Sequence, residues 1–143
     1  MSRLQIADDL LDAIRRHAAE TYPEECCGAL IGHPGASAPS VMTVVPLPNQ
    51  TEEGPRRRFL VRADDYRHAE EKARASGGEL LGFYHSHPDH PARPSQYDLD
   101  HAWPNLSYVI VAVDRGTPGA VASWRLRADR AAFDEEGLEQ TRT

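Results

Sequence analysis

The stretch Leu80-Leu81-Gly82-Phe83-Tyr84-His85-Ser86-His87-Pro88 decides how this chain is read. An apolar run ends in two histidines one residue apart, and a proline-rich bend then leads to Ser95 and Asp98. If residues 79–85 form a strand, side chains alternate faces, so His85 and His87 project to one side while Ser86 points to the other. Both imidazoles can then reach one ion. A carboxylate eleven residues after His87, Asp98, supplies a third ligand of a kind that zinc accepts beside histidine.

Working outward, the segments on either side alternate between helical and extended patterns. Leu10, Leu11, Ile14 and Ala18 recur at helical spacing, with acids early and Arg15, Arg16 and His17 later, so residues 7–20 predict a first helix that ends before Pro23. Residues 27–32 and 41–45 are short, apolar and bounded by glycine- or proline-bearing turns, and each predicts a strand. A polar, proline-bearing loop over 46–55 precedes a strand over 58–61. A second helix spans 63–76 and stops at Gly77-Gly78. A short helix over 95–102 follows the histidine stretch, and 107–113 with 120–127 predict a hairpin. Residues 128–143 carry no strong signal and read as a peripheral C-terminal tail. The expectation is one α/β domain over residues 1–143, a mixed layer of strands with about three helices.

The totals narrow the function. At 143 residues the chain is long enough for one core without staples. Its two cysteines, Cys26 and Cys27, are adjacent, a poor arrangement for a mutual bridge, which favours a reducing compartment. No apolar stretch has the length of a signal-peptide core or a membrane span, so the expected location is cytoplasmic, without a membrane partner. A net charge of -6 argues against a nucleic-acid partner, whose affinity would come from neutralising phosphates; only Arg56-Arg57-Arg58 runs against the trend.

A zinc hydrolase also needs a proton acceptor that is not itself a ligand. Spacing alone offers Asp89 and Glu79, neither compelling. The pattern His85-x-His87, seven residues, Ser95, two residues, Asp98 resembles the JAMM motif of the JAB1/MPN/Mov34 metalloenzymes, and Pro23-Glu24-Glu25-Cys26-Cys27-Gly28 resembles the acidic segment that completes the site in that family. The resemblance implies the MPN fold, a curved, mixed, mostly antiparallel sheet flanked by about three helices. It implies one Zn2+ per chain held by His85, His87 and Asp98, with Glu25 as general base and acid and Ser95 as donor to the tetrahedral oxyanion. For the small free-standing prokaryotic members, it further implies a metallopeptidase acting at the C-terminal glycine of a ubiquitin-like or sulfur-carrier protein, and it leaves a homodimer open. Asp89, His90 and Arg56, Arg57 and Arg58 are candidate substrate contacts, and the polar loop over 47–58 is expected to help form the groove.

Each residue has a plainer reading. The histidines could be satisfied by carbonyls at a strand end, and Ser95-x-x-Asp98 is also the pattern of a helix capping box. Glu24 competes with Glu25 for the family position, and Cys26 and Cys27 fit packing better than nucleophilic chemistry. The alternative function is a non-catalytic MPN-type scaffold that binds partners. A zinc deaminase is disfavoured because its Pro-Cys-x-x-Cys is absent, and a His-Glu-x-x-His protease because that motif is absent too.

Overall fold

Residues 3–35, 37–49 and 61–142 are described by the computed structural model. In chain order they form β1 (Arg3–Ala7), α1 (Asp8–Thr21), β2 (Cys27–His33), β3 (Ser40–Leu47), α2 (Ala63–Ala75), β4 (Glu79–Pro88), α3 (Gln96–Asp100), β5 (Ser107–Asp114), β6 (Thr117–Leu126) and β7 (Phe133–Thr141). The expected helices and most expected strands are present. Residues 58–60 of the strand expected over 58–61 lie outside the described residues, and Val61 is not in a strand.

The sheet is mixed but differs from an open curved layer. Its strands close in the order β1-β3-β2-β4-β5-β6-β7, with β7 returning parallel to β1. Two strands missed in the sequence make the closure. β1 is five residues long and merges into the helical pattern. β7 holds Asp134-Glu135-Glu136, which reads as a solvated tail, yet Phe133–Glu136 pair with β6 and Gly137–Thr141 with β1. Strand pairing supplies the order that local hydrophobicity does not.

Two apolar clusters are packed by the alternation of side chains. Leu4, Ile6, Leu11, Ile14, Ala18, Leu30, Tyr84 and Val109 form one, and Cys27, Ala29, Ala69, Phe83 and Tyr108 belong to the other. The first buries the inner stripe of α1, where each fully buried Leu or Ile contributes about 1.5–3 kcal/mol. The second takes Ala69 and Ala73's helix, α2, against the opposite face.

β4 is the strand that organises the site. It runs antiparallel to β2 and parallel to β5. At Gly82 it approaches β5 so closely that an added Cβ would collide with the Ser107 carbonyl, so glycine is required there. Leu81 is the extra residue of a bulge, since Leu30 pairs with Gly82 and Ile31 with Leu80. Beyond the bulge the strand runs unbroken through both histidines. Among the described residues, no helix is long and apolar enough to cross a membrane.

The most demanding polar group in the wall is Glu136 of β7, only 2% exposed. Its Oε1 accepts hydrogen bonds from Ser107 Oγ at 2.7 Å and Ser123 Oγ at 2.8 Å, joining β5, β6 and β7. Arg125 Nη1 stands 3.8 Å from Oε2. Replacing Glu136 by Ala strands two buried hydroxyls, and unfolding in urea is expected to lose about 1–3 kcal/mol of stability with an unchanged denaturant slope.

Candidate metal centre

Strand parity places the chemistry. His85 and His87 share the face of Phe83, while Ser86 shares that of Tyr84. Cys27 of β2 lies opposite His85, and continuing that antiparallel register places Glu25 opposite His87. Glu25 therefore stands at a position of the same parity as the histidines. α3 brings Asp98 over this face from the other side of the bend. All four side chains are buried: Glu25, His85, His87 and Asp98.

The histidine Nε2 atoms are 3.2 Å apart, and Asp98 Oδ2 lies 3.3 Å from that of His85 and 3.1 Å from that of His87. His87 Nδ1 is 3.0 Å from the Pro91 carbonyl, an acceptor only, so Nδ1 donates there and a neutral ring turns an unprotonated Nε2 toward its neighbours. Acceptor atoms this close repel one another unless a proton or a cation lies among them. A tetrahedral zinc site with ligand distances of about 2.0–2.1 Å has ligand-to-ligand edges of about 3.3 Å. The three observed separations match such an edge, so the donor set fits zinc. Glu25, His85 and His87 also form a group that could hold a metal, with ligand atoms all within 4.8 Å of one another.

The electrostatics follow from burial and proximity. Burial holds the His85 pKa below its ordinary value, with Asp98 offsetting part of the effect. Burial alone would also lower His87, but the hydrogen bond and charge of Asp98 outweigh it and leave His87 raised. For Asp98 burial pushes upward, and the two histidines together overcome it and hold the carboxyl below the usual carboxylate range.

The capping reading of Ser95 and Asp98 is also realised. Ser95 Oγ accepts from the Asp98 N–H at 3.1 Å, and the Ser95 N–H donates to Asp98 Oδ2 at 2.9 Å. Helix cap and site thus share the same two side chains. Ser95 accepts through its oxygen and keeps its hydroxyl proton to donate, and its residue is exposed.

Other candidates separate. Asp89 has both carboxylate oxygens engaged, Oδ1 by the Arg115 N–H at 2.8 Å and Oδ2 by the Tyr22 hydroxyl at 2.8 Å. These bonds lower its pKa and tie the bend to the β5–β6 turn and the end of α1. His90 is exposed beside it. Arg56, Arg57 and Arg58 lie outside the described residues, as does most of the expected groove loop. Glu79, the other spacing-based candidate base, starts β4 at its far end from the histidines. Sequence reading missed two supports near Glu25. The Ser86 hydroxyl accepts the Cys26 N–H at 2.8 Å, and Asn49 Nδ2 donates to the Glu25 carbonyl at 3.3 Å. Ser86 was visible inside the histidine pair, but its long-range partner has no local signature.

Comparison with known proteins places this geometry among relatives. Residues 7–127 match the family described as prokaryotic homologs of the JAB domain. Over 118 residues, 79% of this chain and 83% of the relative, the sequence is 35% identical to a desampylase of Haloferax volcanii. It is 32% identical over 111 residues to a probable TtuB-protein conjugate cleaving protease of Thermus thermophilus, covering 78% of this chain and 71% of that one. A JAB1/MPN domain protein from Archaeoglobus fulgidus shares the fold at a TM-score of 0.59 and 20% identity, with 96% of each chain covered.

Cys26 and Cys27 are both buried free thiols, and they belong to opposite clusters. Burial is the main influence that pushes Cys26 up to about 11 and Cys27 up to about 12. At pH 8 almost no thiolate is present, and the thiolate is the nucleophile. Iodoacetamide at pH 8, followed by intact-mass measurement, is expected to modify neither cysteine in the native protein and both after denaturation.

Proposed function

The chain belongs to the prokaryotic JAB-domain branch of the JAB1/MPN (JAMM) family, and on that premise we propose that it is a zinc metallopeptidase that hydrolyses the amide or isopeptide bond after the C-terminal glycine of a ubiquitin-like or sulfur-carrier protein. The observation that carries this reading is the buried convergence of His85 Nε2, His87 Nε2 and Asp98 Oδ2 at 3.1–3.3 Å, with Glu25 beside it. The named relatives support the substrate class, since a desampylase and a conjugate-cleaving protease are similar over most of their lengths.

In this reading His85, His87 and Asp98 hold the ion. When bound, zinc would supply Lewis acidity, polarising the scissile carbonyl and making a water acidic near neutral pH. Glu25 takes the proton from the attacking water and returns it to the leaving amine. Its burial beside the histidines puts a carboxylate within reach of a water at the site. Ser95 keeps its hydroxyl proton free of the capping bond and donates to the oxyanion as negative charge develops; loss of one such donor costs about 10²- to 10³-fold in rate. His87 is kept in its working tautomer by the Pro91 carbonyl.

A ubiquitin-like tail is extended and can add as a strand. Among the described strands, β3 pairs with β1 only at Ser40 and Val41, so its outer edge from Met42 to Leu47 faces no described strand. Leu47 pairs with Cys27, two residues from Glu25, so a tail along this edge would deliver its end to the site. The reading places the work in the cytoplasm and treats residues 1–143 as one functional unit.

The deciding experiment is incubation with ubiquitin-like proteins of the host carrying C-terminal extensions, followed by mass spectrometry. Cleavage after the terminal glycine is expected; cleavage of none would turn the reading to a partner-binding scaffold. Glu25→Gln is expected to retain about one zinc per chain while kcat falls by about 10²- to 10⁴-fold. His87→Ala is expected to lose the zinc itself, measured by elemental analysis.

A further inference from the structure

We propose that Ser86, the residue between the two histidines, is a positioning residue that sets where the Glu25 carboxylate stands relative to them. The proposal rests on the reading of Glu25 as the proton acceptor. Ser86 lies on the face opposite the histidines and is fully buried, so it touches neither substrate nor the reacting atoms.

Its action is through β2. In a regular antiparallel ladder, a hydrogen-bonded pair exchanges two main-chain bonds. Cys26 and Ser86 occupy such a pair in the register that aligns Cys27 with His85. One bond is regular: the Ser86 N–H donates to the Cys26 carbonyl at 3.2 Å. The other is not, because the Cys26 N–H donates to the Ser86 hydroxyl oxygen at 2.8 Å instead of to a main-chain carbonyl. A side-chain oxygen thus replaces the ladder acceptor one residue from Glu25.

That replacement has a geometric consequence. The Cys26 main chain is anchored to the Ser86 side chain just where β2 begins, and Glu25 precedes this point directly. Asp98 lies 3.1–3.3 Å from the histidines, and the ligand atoms of Glu25, His85 and His87 all lie within 4.8 Å of one another, so the placing of the Cys26 main chain bears directly on where the Glu25 carboxylate meets that cluster. Asn49, donating to the Glu25 carbonyl at 3.3 Å, steadies the same residue from the β3 side. The buried Cys26 N–H has this acceptor only while residue 86 carries a γ-oxygen, so alanine removes the bond that anchors the residue next to Glu25.

The test uses the full chain in three variants, with amide hydrogen exchange at Cys26, zinc content, and kcat and KM on a ubiquitin-like protein with a C-terminal amide-linked fluorophore. Ser86→Ala is expected to raise Cys26 exchange by about tenfold or more and to lower kcat by about 10- to 10²-fold, with KM within about twofold and zinc unchanged. Ser86→Thr keeps the oxygen and is expected to restore Cys26 protection and most of kcat. Ser86→Cys, a weaker acceptor of similar bulk, is expected to follow Ala and stands in for it should Ala not fold. In a Glu25→Gln background Ser86→Ala is expected to cost no further turnover, because the two act as one unit. Unchanged Cys26 exchange, equal losses in Thr and Ala, loss of zinc, or additive losses with Glu25→Gln would each overturn the proposal. If wild type cleaves nothing, the hydrolase reading fails, and Cys26 exchange with the carboxylate NMR shift of Glu25 in Ser86→Ala still decides whether Ser86 positions it.

Discussion

The site depends on one register: Cys27 of β2 against His85 of β4. Side chains on neighbouring strands share a face only when their positions pair with matching parity, and a slip by one residue would turn Glu25 to the far side. The bulge at Leu81 sits upstream of this pairing, so the strand is re-aimed before the histidines and runs regularly through them. Parallel pairing with β5 on the other edge, from Gly82 to Pro88, leaves β4 no freedom to shift. The histidines are therefore placed by hydrogen bonds along the whole strand, and the bend over 88–95 delivers α3 and the Pro91 carbonyl that orients His87.

How much of this was legible follows from the range of each interaction. The alternation of His85 and His87 is local, and strand periodicity suffices to place them on one face. Ser95 and Asp98 were legible twice, as a cap and as site residues, and the structure brings both descriptions to the same atoms. Glu25 was legible only through family resemblance, since some sixty residues separate it from β4 and no periodicity spans that gap. Closure of the sheet was not legible at all. β1 is too short to show a period, and Glu136 in β7 looks like a solvated acid until Ser107 and Ser123 are seen to reach it from other strands.

Asp89 has a structural task that its place in the sequence does not reveal. A carboxylate in the bend beside two histidines invites a substrate role, yet its two oxygens hold Tyr22 and the Arg115 N–H. Its backbone adopts a positive φ of 59°, and its N–H donates to the Val113 carbonyl at 2.6 Å. A short polar side chain tolerates that conformation by bonding locally, which is why aspartate suits the position. The residue shapes the bend that carries Pro91 to His87, and it acts on the site through that bend.

Two imidazoles and two carboxylates buried together make a costly interior, because taking charge out of water is repaid only when each group finds a partner. The chain spreads that cost over structure it needs anyway. The capping box that starts α3 also satisfies Asp98, the bend carbonyl of Pro91 satisfies His87 Nδ1, and the first ladder position of β2 is held by Ser86. Each support joins a site residue to the end of a secondary-structure element, where main-chain groups lack partners of their own. Function and fold thus compete little at this site. The same hydrogen bonds that terminate strands and helices orient the groups that do the chemistry, and a substitution at any of them is felt in both.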